Sequence, residues 1–460
     1  MNEKQPQEMY DWIINSDTDR LMNLSYPCKC GETHRVPIRY LSIRNGALSE
    51  IGHRFDELGV KGKGVIVYDK KIEGSVASSV LPVLKNQGLN LTPHVMGDGI
   101  KLIPAEVELA QKMADDIKGK PDYLVSLGSG VISDLTKFAA HLLKLPYVLI
   151  PTAPSMNGYT SSMAALTDRG IKSTLMVESA HAIFADTDIL KKSPIEMVRS
   201  GLGDIVSKSI CNADWKLSNI VRKTYFCSLP FHITDISEPL YLDAAEEIGR
   251  KTERGISVLT DGIMRSGLSM TIIGTSTPSS GAEHLLSHYL DLMALIKGMK
   301  KQFHGVQVGV ATLLILNLYE YIRNYSVKNV RIDKLKSLHQ DEPEIKRFMK
   351  KKFGRYADGV IESYIQKYLP WHEKKKEIEY IIDCWDEIWN ELSPYMRPKK
   401  PVEHALKRCG AASTYLDLGY TMDDAYDAII NARFIRSRYT ILDLAADIGI
   451  LDEAAGKVVA

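Results

Sequence analysis

The 460-residue sequence predicts an N-terminal α/β domain with a parallel sheet, followed by an all-α C-terminal domain. From about residue 62 to 190, short β-rich runs alternate with amphipathic helical patterns, which is typical of parallel strands covered by helices. Beyond about residue 193, nearly every segment repeats with a helical period. We therefore expect an N-terminal extension over 1–38, an α/β domain over 39–192 and a helical domain over 193–460, with a cleft between the last two.

The α/β pattern can be followed element by element. Runs of apolar and β-branched residues predict five strands, and two amphipathic stretches predict helices between them. The strands are Gly64–Tyr68, Leu91–Met96, Tyr123–Leu127, Tyr147–Ile150 and Ala182–Ala185, and the helices are Pro104–Lys118 and Ile132–Leu143. Because ligands bind outside the carboxyl ends of the strands in such sheets, we expect functional residues in the loops that follow them.

The second half is predicted to be helical throughout. Its strongest helical patterns are Ala244–Leu259, Glu283–Ile296 and Gln307–Tyr321. The segment 327–400 is dense in Lys, Glu and aromatic residues, which predicts surface helices in a solvated elaboration of the fold.

Composition excludes several classes of function. The formal net charge is only +1, whereas a general nucleic-acid binder carries a basic surplus. The N-terminus lacks the basic and apolar regions of a signal peptide. The longest apolar run, Val308–Leu316, is about half of the ~20 residues that a membrane-spanning helix needs. Six scattered cysteines do not suggest a disulfide framework, so we expect a cytoplasmic protein with neither nucleic-acid nor membrane partners.

A glycine-rich turn follows one of the predicted strands. Gly128, Ser129 and Gly130 come after Tyr123–Leu127 and open a helix, where small residues let the backbone approach a pyrophosphate at the helix N-terminus. The pattern departs from GxGxxG because Ser133 stands where the third glycine would be. Taken alone, it also fits a plain tight turn.

Two neighbouring features strengthen the prediction of a Rossmann-like dinucleotide site. The next strand ends in a stretch rich in hydroxyls with one amide, Pro151–Ser162, and these groups can bind phosphate, ribose or carboxamide. Asp69 follows the first strand, where an acid commonly accepts a hydrogen bond from an adenosine ribose. A carboxylate there repels a 2′-phosphate and so favours NAD over NADP.

Three stretches of the helical half carry metal-ligand residue types. Asp204 lies beside two glycines, His284 and His288 are spaced to share one helix face, and His304 precedes the long apolar helix. One carboxylate and two imidazoles suit zinc, nickel or iron and leave room for a substrate oxygen. A single histidine is more often structural than a ligand, and spacing alone does not establish that the three stretches converge.

The N-terminal extension contains a further candidate. Cys28, Cys30 and His34 are close in sequence and of zinc-ligand type, but a zinc knuckle has wider cysteine spacing and needs a fourth ligand. A tight hairpin with reduced cysteines is the plainer interpretation.

Five motifs, in order, resemble the sn-glycerol-1-phosphate dehydrogenase family: GSGVISDLTK, PTAPSMNGYTSS, GLGDIVSKSICNADW, SSGAEHLLSH and HGVQVG. That family belongs to the superfamily of iron-containing alcohol dehydrogenases, glycerol dehydrogenase and 3-dehydroquinate synthase. The likeness runs from about residue 40 to 325 and resumes at Asn431–Asp443. It implies a dehydroquinate synthase-like fold and a homodimer.

The resemblance also implies roles for individual residues. Asp204, His284 and His304 would hold the metal, and His288 would face the substrate. Lys208 and Lys172 would pair with a substrate phosphate. The dinucleotide, NAD(P), would lie along Gly128, Ser129, Gly130, Asp134, Thr152 and Ser155, with Asp69 at its adenosine end.

One departure bears on the substrate. Members of the family usually carry Asp where Asn157 stands, and Asn keeps hydrogen bonding but loses the charge and any role as a base. The implied reaction is metal-dependent reduction of dihydroxyacetone phosphate to sn-glycerol 1-phosphate, which feeds glycerophospholipid synthesis. The alternatives are a dehydrogenase of glycerol or another unphosphorylated polyol, a 3-dehydroquinate synthase-like cyclase that uses NAD transiently, and a cofactor-binding regulator with an inactive site.

Overall fold

The computed structural model describes residues 6–168 and 171–460. By internal contacts the chain separates into two compact units. The first holds the described residues up to 205 together with 228–276 and 408–410, and the second holds 206–227, 277–407 and 411–460. Residues 1–5 of the expected N-terminal extension lie outside the described residues, and the boundaries expected at 38 and 192 stay predictions.

The first unit is built on a six-stranded parallel sheet. It also contains two antiparallel hairpins, one before the first strand of the sheet and one between its last two strands in sequence. The sheet order is β3-β10-β7-β6-β4-β5, while β1 pairs with β2 and β8 pairs with β9. The strands are β1 (Leu24–Pro27), β2 (Thr33–Val36), β3 (Tyr40–Arg44), β4 (Lys63–Asp69), β5 (Asn90–Met96), β6 (Tyr123–Gly128), β7 (Tyr147–Pro151), β8 (Met163–Asp168), β9 (Ile171–Met176) and β10 (Ala182–Asp186).

The described residues form 23 α-helices, which confirms the predicted change from an alternating half to a helical half. In chain order they are α1 (Pro6–Ile14), α2 (Ile51–Leu58), α3 (Ser78–Asn86), α4 (Val107–Ile117), α5 (Gly130–Leu143), α6 (Thr187–Leu190), α7 (Ile195–Ile205), α8 (Lys208–Arg222), α9 (Leu229–Asp235), α10 (Glu238–Asp243), α11 (Ala245–Gly249), α12 (Glu253–Ile273), α13 (Ala282–Lys297), α14 (His304–Arg323), α15 (Ile332–Leu338), α16 (Glu342–Phe353), α17 (Ala357–Ile365), α18 (Trp371–Asp383), α19 (Trp385–Leu392), α20 (Lys399–Cys409), α21 (Met422–Asn431), α22 (Ile441–Asp447) and α23 (Leu451–Val459).

All five predicted strands are present, as β4, β5, β6, β7 and β10. Their central members read as continuous apolar runs because helices cover both faces of a parallel sheet. Ile66, Val125, Ile150 and Phe184 are all fully buried in one core beneath those helices. The sequence prediction missed β3, which pairs in parallel with β10 along its whole length.

The carboxyl ends of the central strands lie level with one another. Val67 of β4 is in register with Ser126 of β6, and Gly128 is in register with Pro151 of β7. The residues that follow β4, β6 and β7 therefore emerge at the same edge of the sheet.

The prediction of one continuous helix over Ala244–Leu259 is wrong. The stretch Ala244–Leu259 is divided between α11 and α12. Lys251 takes a left-handed backbone conformation with φ of 55°, and the Thr252 side chain accepts a hydrogen bond from the Gly255 amide. This cap starts a new helix where the apolar pattern alone predicts a single one.

Among the described residues of the second unit, all regular secondary structure is helical. Its long apolar helix, α14, is long and apolar enough to cross a membrane by length and composition, but 72% of its most apolar window is buried inside the fold. The segment 327–400 forms helices, as predicted, and also contributes a core, since Trp385, Ile388 and Trp389 are buried.

Candidate active site

The glycine turn connects β6 to α5, and its first glycine is needed for space rather than for backbone freedom. Neither Gly128 nor Gly130 has a positive φ, so the expected tight-turn conformation is not what selects them. A Cβ on Gly128 would lie 2.5 Å from the Ile132 side chain, and one on Gly130 would lie 3.2 Å from that of Met156. The turn is closed by the Thr152 amide, which donates to the Gly128 carbonyl at 3.1 Å.

Helix α5 also fixes the loop that follows β7. The fully buried Lys137 ammonium donates to the carbonyls of Gly158, Ser161 and Met163 at 2.7, 3.1 and 3.0 Å. It lies 3.8 Å from a carboxylate oxygen of Asp134. Lys137 belongs to the glycine-turn motif, and the signal that could have revealed its role is a lysine on a helix face that is otherwise apolar.

Asp134 is buried in the same helix. Burial raises its pKa to about 6, while the positive charges of Lys137 and Lys172 oppose that rise. Lys172 lies in the β8–β9 hairpin opposite Thr167. The structure therefore places Lys172, a predicted phosphate ligand, near Asp134 in the first unit.

The loop after β7 holds the other predicted cofactor residues in fixed positions. Thr152 and Ser155 are buried, and the Ser155 hydroxyl lies 3.2 Å from that of Tyr159. The Asn157 side-chain amide donates to the Ser266 hydroxyl of α12 at 3.1 Å, and its backbone amide donates to Asp204 at 2.8 Å. Asn157 thus anchors the loop on two sides.

Asp204 is almost fully buried near the end of α7. That helix approaches the loop closely, because a Cβ on Gly201 would overlap the Pro154 carbonyl. Gly201, the first glycine of the motif that contains Asp204, is therefore required for this close approach, and in it Asp204 accepts from the Asn157 amide.

Asp69 ends β4 at the same sheet edge as the glycine turn. Its side chain accepts a hydrogen bond from the Lys71 amide at 2.9 Å and so caps the short turn that follows the strand.

Three histidines lie together in the second unit. His284 and His288 are on α13, and His304 begins α14. The His284 and His304 rings are 5.2 Å apart, and those of His288 and His304 are 5.3 Å apart with their planes at 12°. The structure therefore brings together the two stretches that supply them.

Neighbouring side chains determine which nitrogen each imidazole presents. His284 Nδ1 lies 2.8 Å from a Glu283 carboxylate oxygen, which can only accept. His304 Nδ1 lies 3.1 Å from the Ser287 hydroxyl, whose one proton is donated to the side-chain amide oxygen of Gln307 at 2.9 Å. Both Nδ1 atoms must therefore donate, and in each neutral ring Nε2 keeps the lone pair that binds a metal.

A buried polar network fixes the start of α13. The Gly281 amide donates to Glu283, and the Ala282 amide donates to Asp214 at 2.7 Å. Asp214 also accepts from the Tyr319 hydroxyl and the Ile441 amide. Burial, together with the negative charge of Glu283, raises the pKa of Asp214 to about 7.

Sequence reasoning missed Asp291, which lies beside the histidines. One ligand atom each from His288, Asp291 and His304 lie within 4.8 Å of one another. The signal was present in the sequence, because Asp291 follows His288 by three residues on the same helix face.

Lys208, the other predicted phosphate ligand, is buried at the start of α8 in the second unit. Its ammonium donates to the Ser279 carbonyl at 3.0 Å and to the Ser207 hydroxyl at 3.2 Å.

The sequence comparisons place the chain in a known family. Residues 42–194 match the model for iron-containing alcohol dehydrogenases. A glycerol-1-phosphate dehydrogenase [NAD(P)+] from Halalkalibacterium halodurans is 34% identical over 296 residues, which cover 64% of this chain and 74% of that protein. The enzyme of the same name from Methanosarcina barkeri is 30% identical over 281 residues, covering 61% and 76%. The chain belongs to the glycerol-1-phosphate dehydrogenase family.

The comparison with solved structures agrees with the predicted fold. Glycerol dehydrogenase from Schizosaccharomyces pombe matches with a TM-score of 0.55 and 16% identity, over 91% of this chain and 90% of that one. At this identity the likeness concerns the fold alone. It confirms the predicted combination of a parallel α/β sheet with a helical remainder. The roles of the individual site residues stay predictions.

Proposed function

We propose that this chain is a metal-dependent NAD(P)-linked dehydrogenase that reduces dihydroxyacetone phosphate to sn-glycerol 1-phosphate. The observation that carries the proposal is the pair of imidazoles His284 and His304, in each of which a neighbour holds Nδ1 and Nε2 is the candidate ligand atom. The curated relatives bear this activity in their names.

Following the family resemblance, we propose Asp204, His284 and His304 as the ligands of one divalent cation. A carboxylate with two imidazoles is a donor set for zinc, nickel or iron, and the burial of Asp204 and His284 suits a site shielded from bulk water. When bound, the ion acts as a Lewis acid that polarises the substrate carbonyl and stabilises the negative charge developing on its oxygen.

The dinucleotide is assigned to the carboxyl edge of the sheet. Gly128, Ser129 and Gly130 admit the pyrophosphate at the N-terminus of α5, where the helix dipole favours negative charge. Thr152 and Ser155 offer hydroxyls to the nicotinamide half, and Asp134 and Lys137 keep their loop in place. Asp69 accepts from the adenosine ribose, which favours NADH over NADPH.

The remaining residues are assigned to the substrate. His288, with Asp291 beside it, delivers the proton that the product oxygen requires. We assign the phosphate group to two candidate cations, Lys208 and Lys172. Asn157 orients the substrate by hydrogen bonding and serves as no base, since an amide does not take up a proton at neutral pH.

At the cellular level we propose a cytoplasmic homodimer whose product enters glycerophospholipid synthesis. These assignments follow the family resemblance.

The test is NADH oxidation by metal-loaded protein with dihydroxyacetone phosphate, compared with dihydroxyacetone as the unphosphorylated substrate. We expect turnover with the phosphorylated compound, and loss of both metal retention and turnover in His284→Ala and His304→Ala. The matched control is His53→Ala, which removes an exposed histidine of the first unit and should behave as the wild type. Turnover with dihydroxyacetone but not with dihydroxyacetone phosphate would show that the substrate is unphosphorylated. Turnover in His304→Ala would refute the assignment of the metal ligands.

A further inference from the structure

The hairpin β1–β2 gathers metal-ligand side chains away from the proposed active site. Its turn is closed by the Cys28 amide, which donates to the Glu32 carbonyl at 2.8 Å, and it contains Gly31 with φ of +94°. This turn brings one ligand atom each from Cys28, Cys30 and His34 within 4.8 Å of one another. The Cys30 sulfur lies 3.3 Å from His34 Nε2.

We infer that Cys28, Cys30, His34 and Cys227 form a structural zinc site. A tetrahedral ion ~2.3 Å from sulfur and ~2.0 Å from nitrogen holds those two atoms about 3.5 Å apart. The separation of Cys30 and His34 is therefore close to that of a metal site, and three thiolates with one imidazole are a common zinc set.

The orientation of His34 supports the assignment. Its Nδ1 lies 3.0 Å from the Ile272 carbonyl oxygen of α12. Because a carbonyl only accepts, Nδ1 carries the proton, and Nε2, which faces Cys30, keeps its lone pair. Metal-binding histidines are held in this way, with the distal nitrogen donating to a neighbour.

The position of Cys227 in the chain makes it the fourth ligand. It is buried and is bonded directly to Ser228, with which the chain re-enters the first unit. The Ser228 hydroxyl lies 3.0 Å from that of Tyr10, and the Lys29 ammonium lies 3.7 Å above the Tyr10 ring. Lys29 stands between Cys28 and Cys30 in the sequence. Because Lys29 and Ser228 both contact Tyr10, Ser228 lies close to the hairpin turn.

The site explains how so small a hairpin is held. Each strand has four residues, and a two-stranded hairpin of that size is at best marginally stable alone. Zinc binding, which displaces the thiol protons, would fasten the turn to the segment that leads into α9. The narrow Cys-x-Cys spacing is then completed by a ligand about 200 residues away rather than by a second nearby pair.

The test uses the full chain with cobalt in place of zinc. Cobalt bound by thiolates gives a sulfur-to-metal charge-transfer band, whereas the proposed active site has no sulfur ligand. We expect this band in the wild type and also in the His284→Ala/His304→Ala variant, so the result is independent of the proposed function. Cys227→Ser should remove one bound metal per chain, and the band should be lost with it.

The matched control is Cys384→Ser, which changes a cysteine of the second unit outside the cluster and should leave the band unchanged. Absence of the band from cobalt-loaded wild-type protein would overturn the site without any variant having to fold. A band of undiminished intensity in Cys227→Ser would overturn the assignment of the fourth ligand, and a Cys28–Cys30 disulfide in protein purified under reducing conditions would overturn the whole site.

Discussion

At the scale of single residues, the proposed metal ligands depend on neighbours that hold them. Glu283 is fully buried and serves both His284 and the Gly281 amide, while Ser287 relays between His304 and Gln307. Removal of such an outer partner typically costs a metal site 10–100-fold in affinity, roughly.

Glu283→Gln tests this dependence. The amide oxygen still accepts from His284 but carries no charge, so we expect the metal affinity of the active site to fall about 10–100-fold. The measurement is NADH oxidation as a function of free metal concentration. Glu320→Gln, at an exposed position of α14, is the control. Equal metal dependence in Glu283→Gln and wild type would show that the carboxylate does not orient the ligand.

Asp69 sets the expected preference for NADH. Asp69→Asn keeps the hydrogen bond from the Lys71 amide. It loses the negative charge, which strengthens the proposed hydrogen bond from the ribose and repels a 2′-phosphate. Charged hydrogen bonds contribute about 1.5–3 kcal/mol, so we expect KM for NADH to rise about tenfold or more and KM for NADPH to fall. Asp98→Asn, in the turn after β5, should change neither. An unaltered NADH-to-NADPH ratio would remove Asp69 from the cofactor site.

Asp134 predicts a pH dependence of stability. Burial raises its pKa from 3.8 to about 6, so the native state binds the proton more tightly than the unfolded state does. This stabilisation is complete below about pH 4 and is lost as the pH rises to about 6, by at most ~3 kcal/mol. Urea unfolding across this interval should show the wild type losing stability relative to Asp134→Asn. If the free energy of unfolding depended on pH in the same way in both proteins, the raised pKa of Asp134 would be contradicted.

At the scale of elements, the sequence predicts the sheet well because its central strands are continuous apolar runs. It predicts the start of α12 poorly, since the Thr252 cap and the left-handed Lys251 interrupt an apolar pattern that itself continues. Tertiary packing also decides why certain helix residues are glycine. Gly267 of α12 contacts the loop after β7, where a Cβ would overlap the Thr160 hydroxyl and the Asn157 carbonyl.

Gly267→Ala should therefore push α12 away from the cofactor loop. We expect the free energy of unfolding to fall by about 1–3 kcal/mol, as overpacking commonly costs. Gly456→Ala is the matched control, because no atom lies within 4 Å of its Cβ position and alanine favours a helix interior by up to ~1 kcal/mol. Urea unfolding measures both changes. Equal free energies of unfolding for the two variants would mean that the loop after β7 moves to admit the methyl group with no loss of stability.

At the scale of the whole molecule, the sequence predicts the candidate site through ordered motifs more than through geometry. Asp204, His284 and His304 are recognisable as ligand types, and helical spacing places His288 beside His284. The partners Ser287 and Gln307 were not predicted, because hydrogen bonding between helices α13 and α14 decides their roles. Glu283 was missed although it directly precedes His284 in the sequence. The proposed zinc ligand Cys227 was not predicted either, since nothing local connects it with a hairpin about 200 residues earlier.

The most direct test of the central claim is the stereochemistry of the product. Metal-loaded wild-type protein is incubated with NADH and dihydroxyacetone phosphate, and the glycerol phosphate formed is resolved into its two enantiomers. We expect sn-glycerol 1-phosphate in an amount equal to the NADH oxidised. Formation of sn-glycerol 3-phosphate, or the absence of any glycerol phosphate, would contradict it.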